Sequence, residues 1–207
     1  MITHSVYFLN CEMKKIVLIF CLLVFYKVTV AQNITFLYEL SQKRDSDDNK
    51  YSTTPFYLDV MGKESVFRSE KDRYSDSLVE KTGFGIGSGL TFANQFYVKK
   101  NLSKMEIIKS ITTPLMNYKY DLKISDTLDW QISPEKQRIG EIECQKAYLK
   151  YGGRSWVAWF SESIPLQDGP YIFNGLPGLI VKISDEQSNF VFNLVEVMSS
   201  KQKNIYI

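Results

Sequence analysis

Apolar and polar positions alternate along most of this chain with a period of two, which is the pattern of strands whose faces see different surroundings. Residues 33–40 (NITFLYEL) alternate loosely and predict a first strand. Residues 56–60 and 65–69 predict two more, joined across Met61-Gly62-Lys63-Glu64, a connection with the length and the glycine of a hairpin. Residues 95–101, 105–111 and 117–124 are rich in Tyr, Phe, Val and Ile and predict three further strands, although 105–111 (MEIIKSI) also fits a turn or two of helix. Thr113-Pro114 breaks the chain between the last two. From residue 128 the pattern sharpens. Asp129-Trp130-Gln131-Ile132 predicts a short strand and Ser133-Pro134-Glu135 a turn. Residues 142–151 and 155–163 predict a hairpin across Gly152-Gly153-Arg154, and residues 179–183 and 189–197 a last hairpin around residues 185–188. The tail from residue 199, ending in NIYI, offers a final strand.

Two stretches depart from this period. Residues 70–80 are strongly charged and fit either a short surface helix or irregular chain. Within residues 155–163 both faces are apolar: Trp156, Ala158 and Phe160 share one side, Val157 and Trp159 the other. A strand apolar on both faces is covered on both, as in a sheet wrapped over a helix or a plug. The predicted fold is therefore mainly β: one strongly curved antiparallel sheet or half-barrel with at most short helices.

Composition narrows the picture. The chain has 207 residues, 44% of them hydrophobic and 14% aromatic, which suits one domain with a sizeable core. Basic Lys14-Lys15, the apolar run 16–26 and the small residues before Gln32 follow the order of a secretory signal peptide, with Met13 as the natural start and an apolar run too short to span a bilayer. A lipidated Cys21 is the alternative, disfavoured by the bulky Phe20. The domain assignment is then a signal peptide over 1–31 and one β-rich domain over 32–207. The expected location is the periplasm, the outer membrane's surface or the exterior, without a transmembrane helix in the mature chain. Cleavage after Ala31 removes Lys14, Lys15, Lys27 and Glu12, which takes the formal charge of +2 to zero. A neutral chain lacks the footprint expected for nucleic acid. Cleavage also removes Cys11 and Cys21, so Cys144 has no intramolecular disulfide partner, and it removes His4, the chain's single histidine.

The stretch around which the rest is organised is residues 169–185 (GPYIFNGLPGLIVKISD). Gly169-Pro170 and Pro177-Gly178 confine the backbone to a narrow path beside Tyr171 and Phe173, and an apolar strand follows. Gly175-Leu176-Pro177-Gly178-Leu179-Ile180 resembles the signature of the GLPGLI family of exported bacterial proteins. The resemblance runs over roughly residues 128–197, through the tryptophan strand, Ile139-Gly140, Cys144-Gln145-Lys146-Ala147, Trp159, Ile164-Pro165 and Gly169-Pro170. It implies an exported β-rich protein and no defined activity. The chain ends soon after the last hairpin, where relatives are expected to continue. Export with a curved sheet is also similar to bacterial lipoprotein-carrier half-barrels.

Candidate chemistry is sparse. Without histidine in the mature chain there is no Cys-His or Ser-His pair, and Cys144 reads as a small buried side chain or as an exposed thiol joining a partner or a metal. No cofactor and no metal site is expected: Asp45, Asp47 and Asp48 lack the glycine and the later glutamate of a calcium loop, and the glycines at 83, 85, 87 and 89 lack a strand-to-helix context for phosphate, reading instead as a flexible loop. Glu141 with Glu143, and Asp185 with Glu186, are the carboxylate pairs that a hydrolase would use. Asp76-Ser77-Leu78 and Asp126-Thr127-Leu128 resemble short bacterial O-glycosylation sequons. Trp130, Trp156, Trp159, Tyr171 and Phe173 form either core or the lining of an apolar or sugar-stacking site. The leading expectation is a non-enzymatic envelope protein that binds an apolar ligand or an envelope protein, with a carboxylate hydrolase and a purely structural protein as alternatives.

Overall fold

A computed structural model describes residues 33–43, 50–86, 95–113 and 118–199, all within the unit Gln32–Ile207. The expectations for the signal segment, for residues 44–49 of the charged loop, for the glycine-rich loop from residue 87 and for the tail from residue 200 lie outside the described residues. The described elements are β1 (Ile34–Lys43), β2 (Tyr51–Met61), β3 (Glu64–Ser69), α1 (Glu70–Thr82), β4 (Tyr97–Asn101), β5 (Glu106–Thr112), β6 (Lys119–Ile124), β7 (Gln131–Ile139), β8 (Ile142–Tyr151), β9 (Arg154–Ser161), β10 (Leu179–Asp185) and β11 (Phe190–Ser199). They form one antiparallel sheet in the order β6-β5-β4-β3-β2-β1-β11-β10-β9-β8-β7, with one helix among the described residues. The fold is mainly β, as the alternation predicts.

The order of strands forces the sheet to curl. β6 and β7 are its two edges, yet they follow one another in the chain, joined only by residues 125–130. Such a link reaches at most about 24 Å from Ile124 to Gln131. A flat sheet of this width would hold its edges roughly 48 Å apart at the usual strand spacing. The edges must therefore approach one another, though they do not pair. Leu128 and Trp130 of the link pack against the core, and the Trp130 Nε1–H donates to the Asn174 carbonyl at 2.8 Å.

Register places the large apolar side chains on the inner face. Phe36, Tyr38 and Leu40 of β1 lie beside Phe56, Leu58 and Val60 of β2, then Phe67 of β3 and Val98 of β4; on the other side come Phe192, Ile183, Ala158, Phe160, Ala147 and Leu149. Against that face sits the chain's own segment 162–178, whose Ile172, Phe173 and Leu176 are buried in the same core. This is the plug that the two-faced apolar strand predicts. Its backbone groups are satisfied locally or by β10: Leu179 N–H donates to Ile164 O at 3.1 Å, Gly175 N–H to Gln167 O at 3.1 Å and Ile180 N–H to Asp168 O at 3.0 Å.

Two local expectations change. Residues 133–135 are not a turn but part of β7, where the register shifts between Ile132 and Lys136. An edge strand tolerates Pro134 because the missing donor and the bulge face outward, and the Gln145 side chain donates to Ser133 O at 2.7 Å. Residues 106–112 are a strand and not helical turns, because β4 and β6 pair on both sides of them.

The corner is tight where the sequence has glycine. A Cβ at Gly178 would lie 2.1 Å from the Ser161 carbonyl oxygen and 2.5 Å from its carbon, both backbone atoms of β9. A Cβ at Gly169 would lie 2.8 Å from that of Ile180. Gly178→Ala is expected to lower unfolding stability by about 3 kcal/mol, since backbone cannot yield as a side chain does. Urea denaturation of the variant checks this, and a loss below about 1 kcal/mol would show that the corner relaxes.

Candidate functional site

Four of the five aromatic residues singled out from sequence converge inside the curl. Phe173 is fully buried and touches Trp156 with ring centroids 4.7 Å apart, Tyr171 at 6.1 Å and Trp130 at 6.3 Å. Tyr171 continues the chain of rings to Phe96 at 5.3 Å, and its hydroxyl accepts from the Lys109 ammonium at 2.8 Å. Tyr171 holds this place with a left-handed φ of 54°, a strained conformation for a tyrosine. Trp159 points to the opposite face, where it packs with Cys144 and Val181 beneath the Lys146 ammonium. Edge contacts among buried rings add to area burial, so this cluster is a packed interior. Of the motif residues, Leu176, Leu179 and Ile180 are buried and Gly175, with φ 90°, makes the bend ahead of Pro177.

Beneath the corner lies a polar group that periodicity alone does not reveal. Ser65 of β3 and Lys100 of β4 are register partners on the inner face. The Ser65 hydroxyl donates to Asp168 Oδ2 at 2.6 Å, the Lys100 ammonium pairs with Asp168 Oδ1 and donates to Gly169 O at 2.6 Å, and Gly169 N–H donates to Asp168 Oδ1 at 2.7 Å. All three side chains are buried. Burial holds the Lys100 ammonium below its ordinary range, and Asp168 opposes part of that shift. Beside it the Tyr38 hydroxyl donates to Ile180 O at 2.6 Å, and burial, with the Asp168 charge second, raises its pKa well above the usual value. A serine, a lysine and a carboxylate in contact resemble catalytic parts, but enclosure on every side makes them a clamp on the plug. The available signal was Lys100 standing at an inward position of the strand YVKKN.

The carboxylate pairs divide. Glu141 and Glu143 are exposed and form surface pairs with Arg138 and Lys136, at 3.5 Å each. Asp185 is buried and structural: it accepts from Arg154 at 2.8 Å and from the Phe190 N–H at 2.8 Å, which holds the last hairpin turn. Among the described residues, no cluster of three or more His, Cys, Asp or Glu side chains is placed to hold a metal ion.

Open concavity lies at the rim instead. Where residues 125–130 leave the sheet, β8 runs on past the start of β7, and a cleft of about 490 Å³ is lined by Asp129, Gln131, Tyr148, Lys150, Trp156 and Glu186, among others. A second depression of about 440 Å³ adjoins it at Ser155 and Glu186, between the Gly152-Gly153 turn and the Asp185-Glu186-Gln187 turn. The cleft joins one aromatic wall, Trp156 with the half-exposed Tyr148, to carboxylate, amide and ammonium groups of both signs. Trp156 is the one sequence-predicted binding residue that lines it. Of the others, Glu186 belongs to the Asp185 and Glu186 carboxylate pair, and Asp129, Gln131, Tyr148 and Lys150, in or beside the edge strands, carry no distinguishing sequence signal.

These features define a curled antiparallel sheet closed on its inner side by its own chain. Residues 153–182, from the β8–β9 turn into β10, match the model of a family described as a protein of unknown function (Porph_ging), which is the GLPGLI-type family. No curated protein matches the chain. Two solved structures of PNGF-II, in space groups C2 and P21, are similar in fold, with TM-scores of 0.58 and 0.55 at 14% and 15% identity. Each likeness covers 84% of this chain and 29% of the PNGF-II chain, so the fold recurs there as less than a third of a longer protein.

Two outcomes are expected. Asp168→Ala strands the Lys100 charge without its partner, and should cost about 3–5 kcal/mol of stability in denaturant unfolding. The Cys144 thiol, pushed up to about 11 by burial and then by the Glu143 charge, keeps its proton in the folded state between pH 9 and 11, where the unfolded chain loses it. Its contribution to stability is therefore complete below pH 9 and falls away as pH rises toward 11. Alkylation at pH 8, followed at the Cys144 peptide by mass spectrometry, should be roughly 100-fold slower in folded than in urea-unfolded protein.

Proposed function

We propose that this chain is an exported member of the GLPGLI family that acts without catalysis, binding a partner molecule of the bacterial cell envelope at the rim cleft. The observation that carries this reading is the occupied interior. Segment 162–178 fills the inner side of the curl with Ile172, Phe173 and Leu176, where a lipid or other apolar ligand would otherwise sit. Recognition then falls to the outside, and the cleft beside Trp156 and Tyr148 is an open concavity with the aromatic and polar groups that contact surfaces favour. The order of basic, apolar and small residues before Gln32 supports export. Among the described residues no helix is long and apolar enough to cross a membrane.

A photo-crosslinking residue placed at Tyr148, in cells that make the protein, should give a discrete adduct of higher mass. The same residue at Tyr74, exposed on α1, should not, and Lys150→Ala with Glu186→Ala should abolish the Tyr148 adduct. Adducts at both positions alike, or at neither, would remove the cleft as the binding site. Purified protein should show no bound lipid by mass and no thermal shift with envelope lipids. Recovery of the chain from the cytoplasm with residues 1–31 attached would remove the export half of the reading.

A further inference from the structure

Helix α1 is docked in a manner opposite to an ordinary surface helix. None of its side chains is buried, and its apolar Tyr74 and Val79 face solvent. What faces the sheet is charge. Arg73 pairs with Asp59 of β2 at 3.1 Å, reaches Thr35 of β1 at 3.5 Å and lies over the Tyr57 ring at 4.8 Å. Asp76, one turn further, pairs with Arg68 of β3 and accepts from the Tyr97 hydroxyl of β4 at 2.7 Å. Two helix residues thus contact four neighbouring strands. Beneath them Arg68 and Asp59 are themselves paired at 2.9 Å and almost wholly buried, and Thr35 donates to Asp59 at 2.7 Å.

The helix is also finished at both ends, at its start by Ser69, the last residue of β3. Ser69 and Asp72 form a reciprocal capping box, and Gly83 closes the last turn with a φ of 79° and an N–H bond to Val79 O at 2.8 Å. Such a unit can leave the sheet without taking any of its own side chains out of the core, since none is buried, and the apolar residue it would uncover is Val66 of β3, buried on this outer face beside Asp59 and Arg68. At 13 residues it is too short to persist alone in water, so leaving the sheet means unravelling.

We propose that α1 is held by an ionic latch, Arg73 on Asp59 and Asp76 on Arg68, and that breaking it opens the helix as a unit while the sheet stays folded, uncovering the outer face of β1–β4. The latch is a conformational device of the fold, independent of the rim cleft. A partner surface offering a guanidinium to Asp59 and a carboxylate to Arg68 would compete with the helix for the same two groups.

Hydrogen exchange on the full chain tests this with Arg73→Gln, Asp76→Asn and the double variant, which change helix propensity little. Each single variant is expected to lower protection of the α1 amides roughly 10- to 100-fold, the double variant further, with the amides of β1 and β11 unchanged. Arg73→Lys, which keeps the charge, should retain most of the protection, and Tyr74→Ala with Val79→Ala should leave it as it was. Unchanged α1 protection in the double variant would overturn the proposal. So would loss of α1 and β3 protection together, which would mean that the helix is part of the sheet's own cooperative unit.

Discussion

Six residues, 125–130, tie one edge of an eleven-strand sheet to the other, and the rest of the structure answers to that tether. The edges must come together, so the sheet curls, and a curled sheet has an inner face that cannot be left open to water. Large side chains from β1, β2, β3 and β9 fill part of that space, and segment 162–178 fills the remainder. An extended segment brings unpaired backbone groups with it, and each one buried without a partner would cost about 1–3 kcal/mol. The corner meets this by bonding to itself and to the start of β10, and by leaning on Lys100 and Tyr38. The prolines and glycines of the motif follow from the same demand: the path is set by the space between β9 and β10, and Gly178 passes where no Cβ fits.

The two faces of the sheet solve opposite problems with opposite chemistry. Inside, burial of aromatic and aliphatic area supplies the driving force, and the buried Lys–Asp–Ser group, with the Trp130 and Lys109 hydrogen bonds, fixes where the plug sits. Outside, under α1, the Tyr57 ring and the buried Val66 are the apolar surface, no helix side chain is buried against them, and position is set by charge pairs between helix and strands. Packing area is not directional, whereas a paired guanidinium and carboxylate are. The inner polar group is enclosed by the plug and moves only with the core. The outer one lies at the boundary with water, where Arg73 and Asp76 remain a quarter to a third exposed, so the two networks differ in how readily each can be broken.

Much of the fold was legible because strands announce themselves by period. The hairpins at residues 56–69, 142–161 and 179–199 stand where alternation and turn residues put them, and the two-faced strand at 155–161 foretold a covered sheet. Pro134 misled because a proline reads locally as a turn, while only the sheet's order shows that its strand is an edge. The residues 105–111 stayed ambiguous because their period was short, and cross-strand pairing decided it. The candidate site was less legible. Of the five aromatic residues grouped from sequence, Trp130, Trp156, Tyr171 and Phe173 meet while Trp159 lies on the other face, and whether such rings enclose space or fill it depends on what lies between them, which is Phe173 itself. Asp168 could not be matched to Ser65 and Lys100, because the three meet only through the curl and stand up to 103 positions apart.

A filled interior has a consequence for how such a protein can recognise anything. A binding cavity gains affinity by enclosing a ligand on most sides, and here that geometry is used for holding the chain's own corner. Among the described residues the open concavity lies at the rim, where strands end at unequal lengths and side chains of different character come together outside the core. β8 overruns β7 because the link at 125–130 must turn inward to cover the plug, and the overrun leaves the cleft beside Trp156. The tether that curls the sheet therefore also shapes one of its outer clefts. Since Trp130 in that tether is bonded to Asn174 of the plug, and Trp156 touches Phe173, the floor of the cleft is anchored to the buried plug. A contact surface built on such a floor would lose little conformational freedom on meeting a partner.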